Sequence, residues 1–287
     1  MSLAPDRIAA AFLAACRAEL DAAKPGNVHR FAGGHGMHAD TFEAAARATA
    51  PWIAQHDLGV GARILGATRA SWEAVGLNAN LGIVLLCAPL AAAAERHDTA
   101  DGRDLREAVA DVLARLDAQD AHDTFAAIAL ATPGGLGEAA EQDVRSPPTI
   151  GLVEAMRLAA DRDLVARQYA DGFCEIFEIG LPALTAPDTA AQTPGTGPAL
   201  AAYLAFASVF PDSHLQRKYG PEVAETVRRQ MADLADDLAR TQDPDARLAL
   251  ALRLDGALKR DGRNPGTSAD LTVASLFAQN LAEAQRE

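Results

Sequence analysis

The sequence predicts an all-α protein, and three observations carry that expectation. Hydrophobic residues make up 49% of the 287 positions, mostly as alanine and leucine, whereas aromatics make up only 5%. Alanine and leucine favour helix, and the β-branched and aromatic residues that favour strands are scarce. No convincing run alternates apolar and polar residues, while stripes at helical spacing recur along the chain. The expected architecture is a single domain over 1–287, a bundle of about ten to twelve helices around a central apolar one.

The elements follow in order. A first helix runs over roughly Asp6–Leu20, with Ile8, Phe12, Ala15 and Glu19 on one stripe, and Pro25 closes it off. Asp40-x-x-Glu43 reads as a capping box opening a helix through Phe42 and Ala46, which Pro51 bends or ends. A helix from about Val60 to Val75 turns Ile64, Thr68, Trp72 and Val75 inward. Leu81–Arg96 is apolar all round, so it is expected to run through the middle. Leu105, Val109, Val112 and Leu116 mark the next helix, and a shorter one surrounds Phe125 and Ile128. A Gly- and Pro-rich break follows over 132–148. Thr149 is then placed to cap a helix through Leu152, Val153 and Met156, which continues or re-forms near Leu164, Phe173 and Phe177. Gly180–Pro198 reads as a long surface loop rather than a linker, because neither flank changes composition. Helices near Ala199–Phe210, Glu222–Arg240, Ala246–Lys259 and Ser268–Gln285 complete the bundle. Pro221 and Pro244 sit at their favoured first-turn positions.

Charge and cysteine usage exclude several function classes. The formal net charge is −13 and the sequence pI is near 4.9. Such a surface repels phosphate backbones, and no basic stripe offsets it, so nucleic acid is not an expected partner. A small polyphosphate remains compatible if local basic residues and Mg²⁺ offset the field. Cys16, Cys87 and Cys174 are few, odd in number and far apart, as expected of packed thiols in a reducing cytoplasm. The N-terminus has no signal-peptide layout. The longest apolar run, from Leu81 to Ala94, is short for a membrane span. Apolar helices and scattered alanines would suit a homodimer.

Four loop-to-helix junctions carry an unusual share of polar residues. At the first, Glu19 lies on an apolar stripe just before Lys24-Pro25-Gly26-Asn27-Val28. Burying a carboxylate is costly unless it is paired or used, and Lys24 and Asn27 supply a cation and an amide for an anionic ligand. Alternatively, Glu19 emerges at a frayed end and Lys24 neutralises it. At the second, Asn78 and Asn80 precede the apolar helix, where they can cap it or present its N–H groups to phosphate. The third is Pro133-Gly134-Gly135-Leu136-Gly137, followed by Glu138, Glu141, Asp143 and Arg145. There Asp143 is placed to hold Mg²⁺, or the segment is a flexible acidic loop. The fourth is Asn264-Pro265-Gly266-Thr267-Ser268-Ala269-Asp270, in which Thr267 and Asp270 also fit a capping box. Lys259, Arg260 and Arg263 nearby suit phosphates or a helix C-terminus. Asp212-Ser213-His214 with Arg217 and Lys218 offers another phosphate contact. His122-Asp123 is discounted as a metal motif because His56-Asp57 and His97-Asp98 repeat it by composition. The glycines around His35-x-x-His38 argue for a loop rather than a helical metal site.

With these junctions in their observed order, the chain resembles the triphosphoribosyl-dephospho-CoA synthase family over almost its whole length. The resemblance implies an all-helical enzyme that transfers the 5-triphosphoribosyl group of ATP to the 2′-hydroxyl of 3′-dephospho-CoA and releases adenine. The product is a prosthetic-group precursor. One stretch departs: synthases of the citrate-lyase type carry Gly-Gly-Val-Asn-Thr-His-Lys-Gly where this chain has Gly76-Leu77-Asn78-Ala79-Asn80-Leu81-Gly82. On that stretch the chain looks closer to a branch found in archaea and methylotrophic bacteria.

The implied chemistry assigns roles. Breaking an N-glycosidic bond builds positive charge on the ribose, which a nearby carboxylate stabilises. Glu19 and Asp270 are the catalytic candidates, either for that charge or as base on the acceptor hydroxyl. Lys24, Pro25, Gly26, Asn27, Asn78, Asn80, Arg217, Lys218, Gly266 and Ser268 are the nucleotide-binding candidates, and Asp143 the Mg²⁺ ligand. All are expected to line one cavity. Two other readings stay open: an ATP- and Mg²⁺-dependent enzyme of tetrahydromethanopterin-type cofactor synthesis with a different acceptor, and a non-catalytic nucleotide-binding protein.

Overall fold

A computed structural model describes residues 2–96, 104–133, 142–186 and 194–286. The predicted glycine run Gly134–Gly137, with Glu138 and Glu141, lies outside these residues, as does His97-Asp98. Among the described residues the regular structure is helical, with three isolated bridges and no strand. Fourteen α-helices are present among them. The first six are α1 (Pro5–Leu20), α2 (Ala39–Ile53), α3 (Val60–Val75), α4 (Leu81–Arg96), α5 (Leu105–Ala114) and α6 (Ala118–Ala131). Then come α7 (Leu152–Arg157), α8 (Leu164–Ala170), a π-helical turn at Ile176–Gly180, α9 (Leu181–Thr185) and α10 (Pro198–Val209). The chain ends with α11 (Ser213–Tyr219), α12 (Pro221–Arg240), α13 (Pro244–Arg260) and α14 (Gly266–Arg286).

The count exceeds the expected range because four short helices break up segments read as loop or as one helix. Gly180 does not begin a loop: the π turn runs directly into α9, and only after Thr185 does regular structure stop. Thr149 does not cap α7. Its hydroxyl and amide pair with the Gln142 amide group, and Gly151 takes the cap position instead. By contrast, Asp104 and Asp117 form full capping boxes at α5 and α6, each accepting from the N3 amide.

The chain groups into two compact units, one comprising 1–15, 41–174 and 277–287, the other 16–40 and 175–276. In the first, α4 is buried along nearly its whole length, as its all-round apolar sequence predicts. Pro89 sits inside it and lacks an N–H, which leaves the Leu85 carbonyl without its helical donor. The Tyr169 hydroxyl from α8 donates to that carbonyl at 2.6 Å. The inner face of α3 differs from expectation. Trp72 and Val75 are only half-buried, whereas Arg63 is fully buried. Its guanidinium donates to the Ile53 and Leu58 carbonyls and pairs with Glu95 of α4, so charge neutralisation makes the burial possible. In the second unit, α10 packs on α12, and α12 also contacts α11 and α13.

Candidate active site

The second unit contains a buried polar centre built on the turn at 24–28. Residues 22–29 are all buried. Ile8, Phe12, Ala15 and Glu19 are all buried along α1, so the stripe read from sequence exists and delivers a carboxylate to its end. Glu19 Oε1 meets Lys24 Nζ at 2.7 Å. The Lys24 ammonium also donates to the Val28 carbonyl at 2.6 Å and to Asn27 Oδ1 at 3.2 Å. Three donors thus face three acceptors, and Lys24 holds the turn closed around Glu19. Burial lifts the Glu19 carboxyl above the ordinary range and pulls the Lys24 ammonium below its own, each opposed by the other's charge.

Other elements fix this turn from several sides. Gly26 has φ +81, and a Cβ there would lie 2.7 Å from the Arg263 carbonyl oxygen and 2.9 Å from Pro265. Only glycine fits both the backbone and the space. The Gly26 amide donates to Asp255 Oδ1 at 2.9 Å, and Asn27 donates to Asn264 at 2.8 Å. The Tyr203 hydroxyl donates to the Pro25 carbonyl at 2.7 Å. Gly195, at φ +90, accepts the Ala23 amide, and a Cβ on it would strike Phe31 and Leu248. The Lys24–Asn27 and Asn264–Ser268 junctions, more than two hundred positions apart, are therefore in direct contact.

Asp255 was not singled out in the sequence, yet it organises this centre. It lies on α13 with Ala251 and Leu258 on one buried stripe, the same signal that marks Glu19. Lys259 Nζ lies 2.9 Å from its Oδ1 and 3.0 Å from its Oδ2, and also donates to the Ala32 carbonyl. His29 Nε2 is 3.3 Å from Oδ2. The His29 Nδ1 accepts the Ala32 amide, and Nε2 faces both the Asp255 carboxylate and the Lys259 ammonium, the latter at 3.3 Å. Burial works to raise the Asp255 carboxyl, but the hydrogen bonds from His29 and Lys259 outweigh it and hold the pKa below the usual range.

A third carboxylate, Asp212, caps two helices at once. Its Oδ1 accepts the His214 and Leu215 amides of α11, and its Oδ2 accepts both the amide and the hydroxyl of Ser268 at the start of α14. Ser268, a predicted binding residue, is thereby fully buried and tied to the Asp212-Ser213-His214 segment. Gly266 opens α14 beside the His214 ring. Burial, then the charges of Arg217, Lys218 and His35, lower the His214 pKa to about 4. Arg217 is half-buried and Lys218 exposed on the last turn of α11, where Lys218 lies over the Tyr219 ring. Asp270 is half-buried one turn into α14.

The remaining candidates belong to the first unit. Asn78 is exposed and accepts the Leu81 amide as a cap for α4. Asn80 is buried and accepts the Ser71 hydroxyl of α3 at 2.7 Å. Both oxygens of Asp143 face Arg145, through its amide, Nε and Nη2. A Mg²⁺ ion would have to displace that guanidinium, so Asp143 as placed does not fit a metal ligand. Among the described residues no group of three or more His, Cys, Asp or Glu is arranged for a metal ion. His35-x-x-His38 is a loop, as its glycines imply: Gly34 and Met37 pair across a turn, and His35 Nε2 lies 2.9 Å from the Gly26 carbonyl. No helix of the described residues is long and apolar enough to cross a membrane.

Comparison with known proteins adds three findings. The family model for CitG, ATP:dephospho-CoA triphosphoribosyl transferase, matches residues 5–287. A crystal structure from Archaeoglobus fulgidus, described as a "putative triphosphoribosyl-dephospho-coA synthase", is 27% identical with a TM-score of 0.63, covering 85% of this chain and 98% of its own. No curated protein matches.

Proposed function

We propose, from the premise that the chain belongs to the ATP:dephospho-CoA triphosphoribosyl transferase family, that the buried centre around residues 19–29 and 255–270 serves this transfer. The 5-triphosphoribosyl group of ATP passes to the 2′-hydroxyl of 3′-dephospho-CoA and adenine leaves. The bond from the ribose C1′ to adenine N9 breaks, and a bond from C1′ to the acceptor oxygen forms. The acceptor proton is taken up by a base and ends, through solvent, on adenine.

A single observation carries the reading: the family model spans 5–287, so it includes both junctions that meet in the second unit. Glu19 and Asp270 are the carboxylates for the developing ribosyl charge and for the acceptor proton. Lys24 acts from behind, holding Glu19 and the Asn27 turn. Arg217 and Lys218, on the partly solvated side of α11, meet phosphates, with Gly266 offering close approach to backbone amides. Mg²⁺ enters on the triphosphate of ATP, where it neutralises phosphate charge. The three cysteines form no disulfide among the described residues, which suits a reducing cytoplasm.

The test is direct. Purified protein incubated with ATP, Mg²⁺ and 3′-dephospho-CoA should release free adenine and form an adduct heavier by the triphosphoribosyl group. Adenine release only with a different acceptor would overturn the acceptor assignment, and ATP binding without adenine release would overturn the enzymatic reading.

A further inference from the structure

We infer that Asp212 is a positioning residue for the transfer: by accepting from both α11 and α14, it sets the cations of α11 against the carboxylate of α14. The inference rests on the transferase reading, in which Arg217 and Lys218 meet phosphates and Asp270 acts on the reacting groups. A helix of seven residues is only about 10 Å long and does not hold itself together in isolation. Its orientation must come from what its ends are fastened to.

Asp212 fastens the first end. A helix N-cap needs one side-chain oxygen, and Oδ1 fills that role alone, accepting the His214 amide at 2.9 Å and the Leu215 amide at 3.2 Å. Oδ2 is committed 56 positions away, to the Ser268 amide at 2.8 Å and the Ser268 hydroxyl at 2.9 Å. Both residues are buried. The other end is fastened by the Tyr219 hydroxyl, which donates at 2.8 Å to the Gly262 carbonyl, in the turn between α13 and α14. Arg217 and Lys218 lie on the last turn of α11, between these two ties, and Asp270 lies two residues beyond Ser268 on α14. The helix bearing the phosphate contacts and the helix bearing the catalytic candidate therefore share one carboxylate. Asparagine would cap α11 equally well, but its Nδ2 cannot accept the Ser268 amide. Holding both helices takes a second acceptor oxygen, which a cap alone does not require.

Asp212→Asn keeps the α11 cap and loses the tie to α14, and Asp212→Ser caps α11 with a side chain too short to reach Ser268. In both, inorganic tripolyphosphate, whose side-chain contacts lie on α11, should bind within about threefold of wild type by calorimetry. The kcat for adenine release per folded molecule should fall at least about tenfold. Ser268→Ala removes one of the two bonds to Oδ2, so it should lower kcat by less, and no further in the Asp212→Ser background. Exchange of the Ser268 amide should speed up at least about tenfold in Asp212→Asn, with the His214 and Leu215 amides unchanged. A merely structural Asp212 would lower the urea midpoint of the variants and leave kcat per folded molecule at the wild-type value. That result overturns the positioning role. So does a fall in tripolyphosphate affinity as large as the fall in kcat, or a Ser268→Ala loss as large in Asp212→Ser as in wild type. Wild-type protein that releases no adenine overturns the transferase reading instead. Amide exchange still decides the tie in that case, and an unchanged Ser268 rate in Asp212→Asn sinks it.

Discussion

The Tyr169 hydroxyl donates to the Leu85 carbonyl, the one acceptor in α4 that Pro89 cannot serve. The central helix thus tolerates an internal proline because a side chain from α8 replaces the missing amide. Tyr169→Phe leaves a buried carbonyl unsatisfied and should destabilise the protein by about 1–3 kcal/mol. In a Pro89→Ala background the helical N–H returns, and the same change should cost less than about 1 kcal/mol. Urea unfolding of the four proteins measures the coupling. Equal losses in both backgrounds would mean that the hydroxyl does not replace the proline's amide.

Arg63 and Glu95 make a buried pair in the first unit, and their role is structural. Besides Glu95, the guanidinium serves the Ile53 and Leu58 carbonyls, while Glu95 accepts the Asp57 amide. Removing one partner strands a charge away from water, so Glu95→Leu should cost about 3–5 kcal/mol. Arg63→Met/Glu95→Leu should recover part of that loss, with adenine release per folded molecule near wild type. Chemical denaturation and an adenine assay at low temperature check both statements.

The fold was legible because helical spacing and punctuation are local properties. α3 and α4 begin and end where the sequence places them, and Pro221 and Pro244 open α12 and α13. The short helices α9 and α11 were not legible, since each spans too few residues to show a periodicity. At the site, Glu19 announced itself as a carboxylate on an apolar stripe. Asp255 carried the same signal between Ala251 and Leu258 but was hidden in an arginine- and aspartate-rich helix. His29 and Tyr203 gave no signal, because their partners lie far away in sequence. Arg63 was missed for the same reason, its partner Glu95 being the penultimate residue of a helix read as apolar all round.

His214 gives the protein a pH dependence with a definite sign. Its folded-state pKa is lowered to about 4 by burial and the neighbouring Arg217, Lys218 and His35. Between that value and the ordinary histidine range near 6.5, the unfolded chain binds the extra proton and the folded one does not. Stability is therefore complete above about pH 6.5 and falls as the pH drops through this window. His214→Gln cannot titrate, so its urea midpoint should decline less steeply between pH 6.5 and pH 4. Parallel slopes for variant and wild type would remove His214 as the cause.

Glu19 and Asp270 can be separated by what each variant does to the fold. Glu19→Gln keeps the shape but leaves Lys24 buried with a neutral partner, so lost turnover alone does not distinguish chemistry from collapse of the turn. Glu19→Gln/Lys24→Met replaces the pair with a neutral one, which should recover stability by about 1–3 kcal/mol over the single variant without restoring adenine release. Asp270 is half-buried, and Asp270→Asn should change stability by less than about 1 kcal/mol. If Asp270 contacts the reacting centre, kcat should still fall at least about a hundredfold, with a smaller change in KM. Single-turnover adenine release beside urea midpoints gives both quantities. A double variant at position 19 that regains activity along with stability would reduce Glu19 to a structural partner of Lys24, and a near-normal kcat in Asp270→Asn would remove that carboxylate from the reaction.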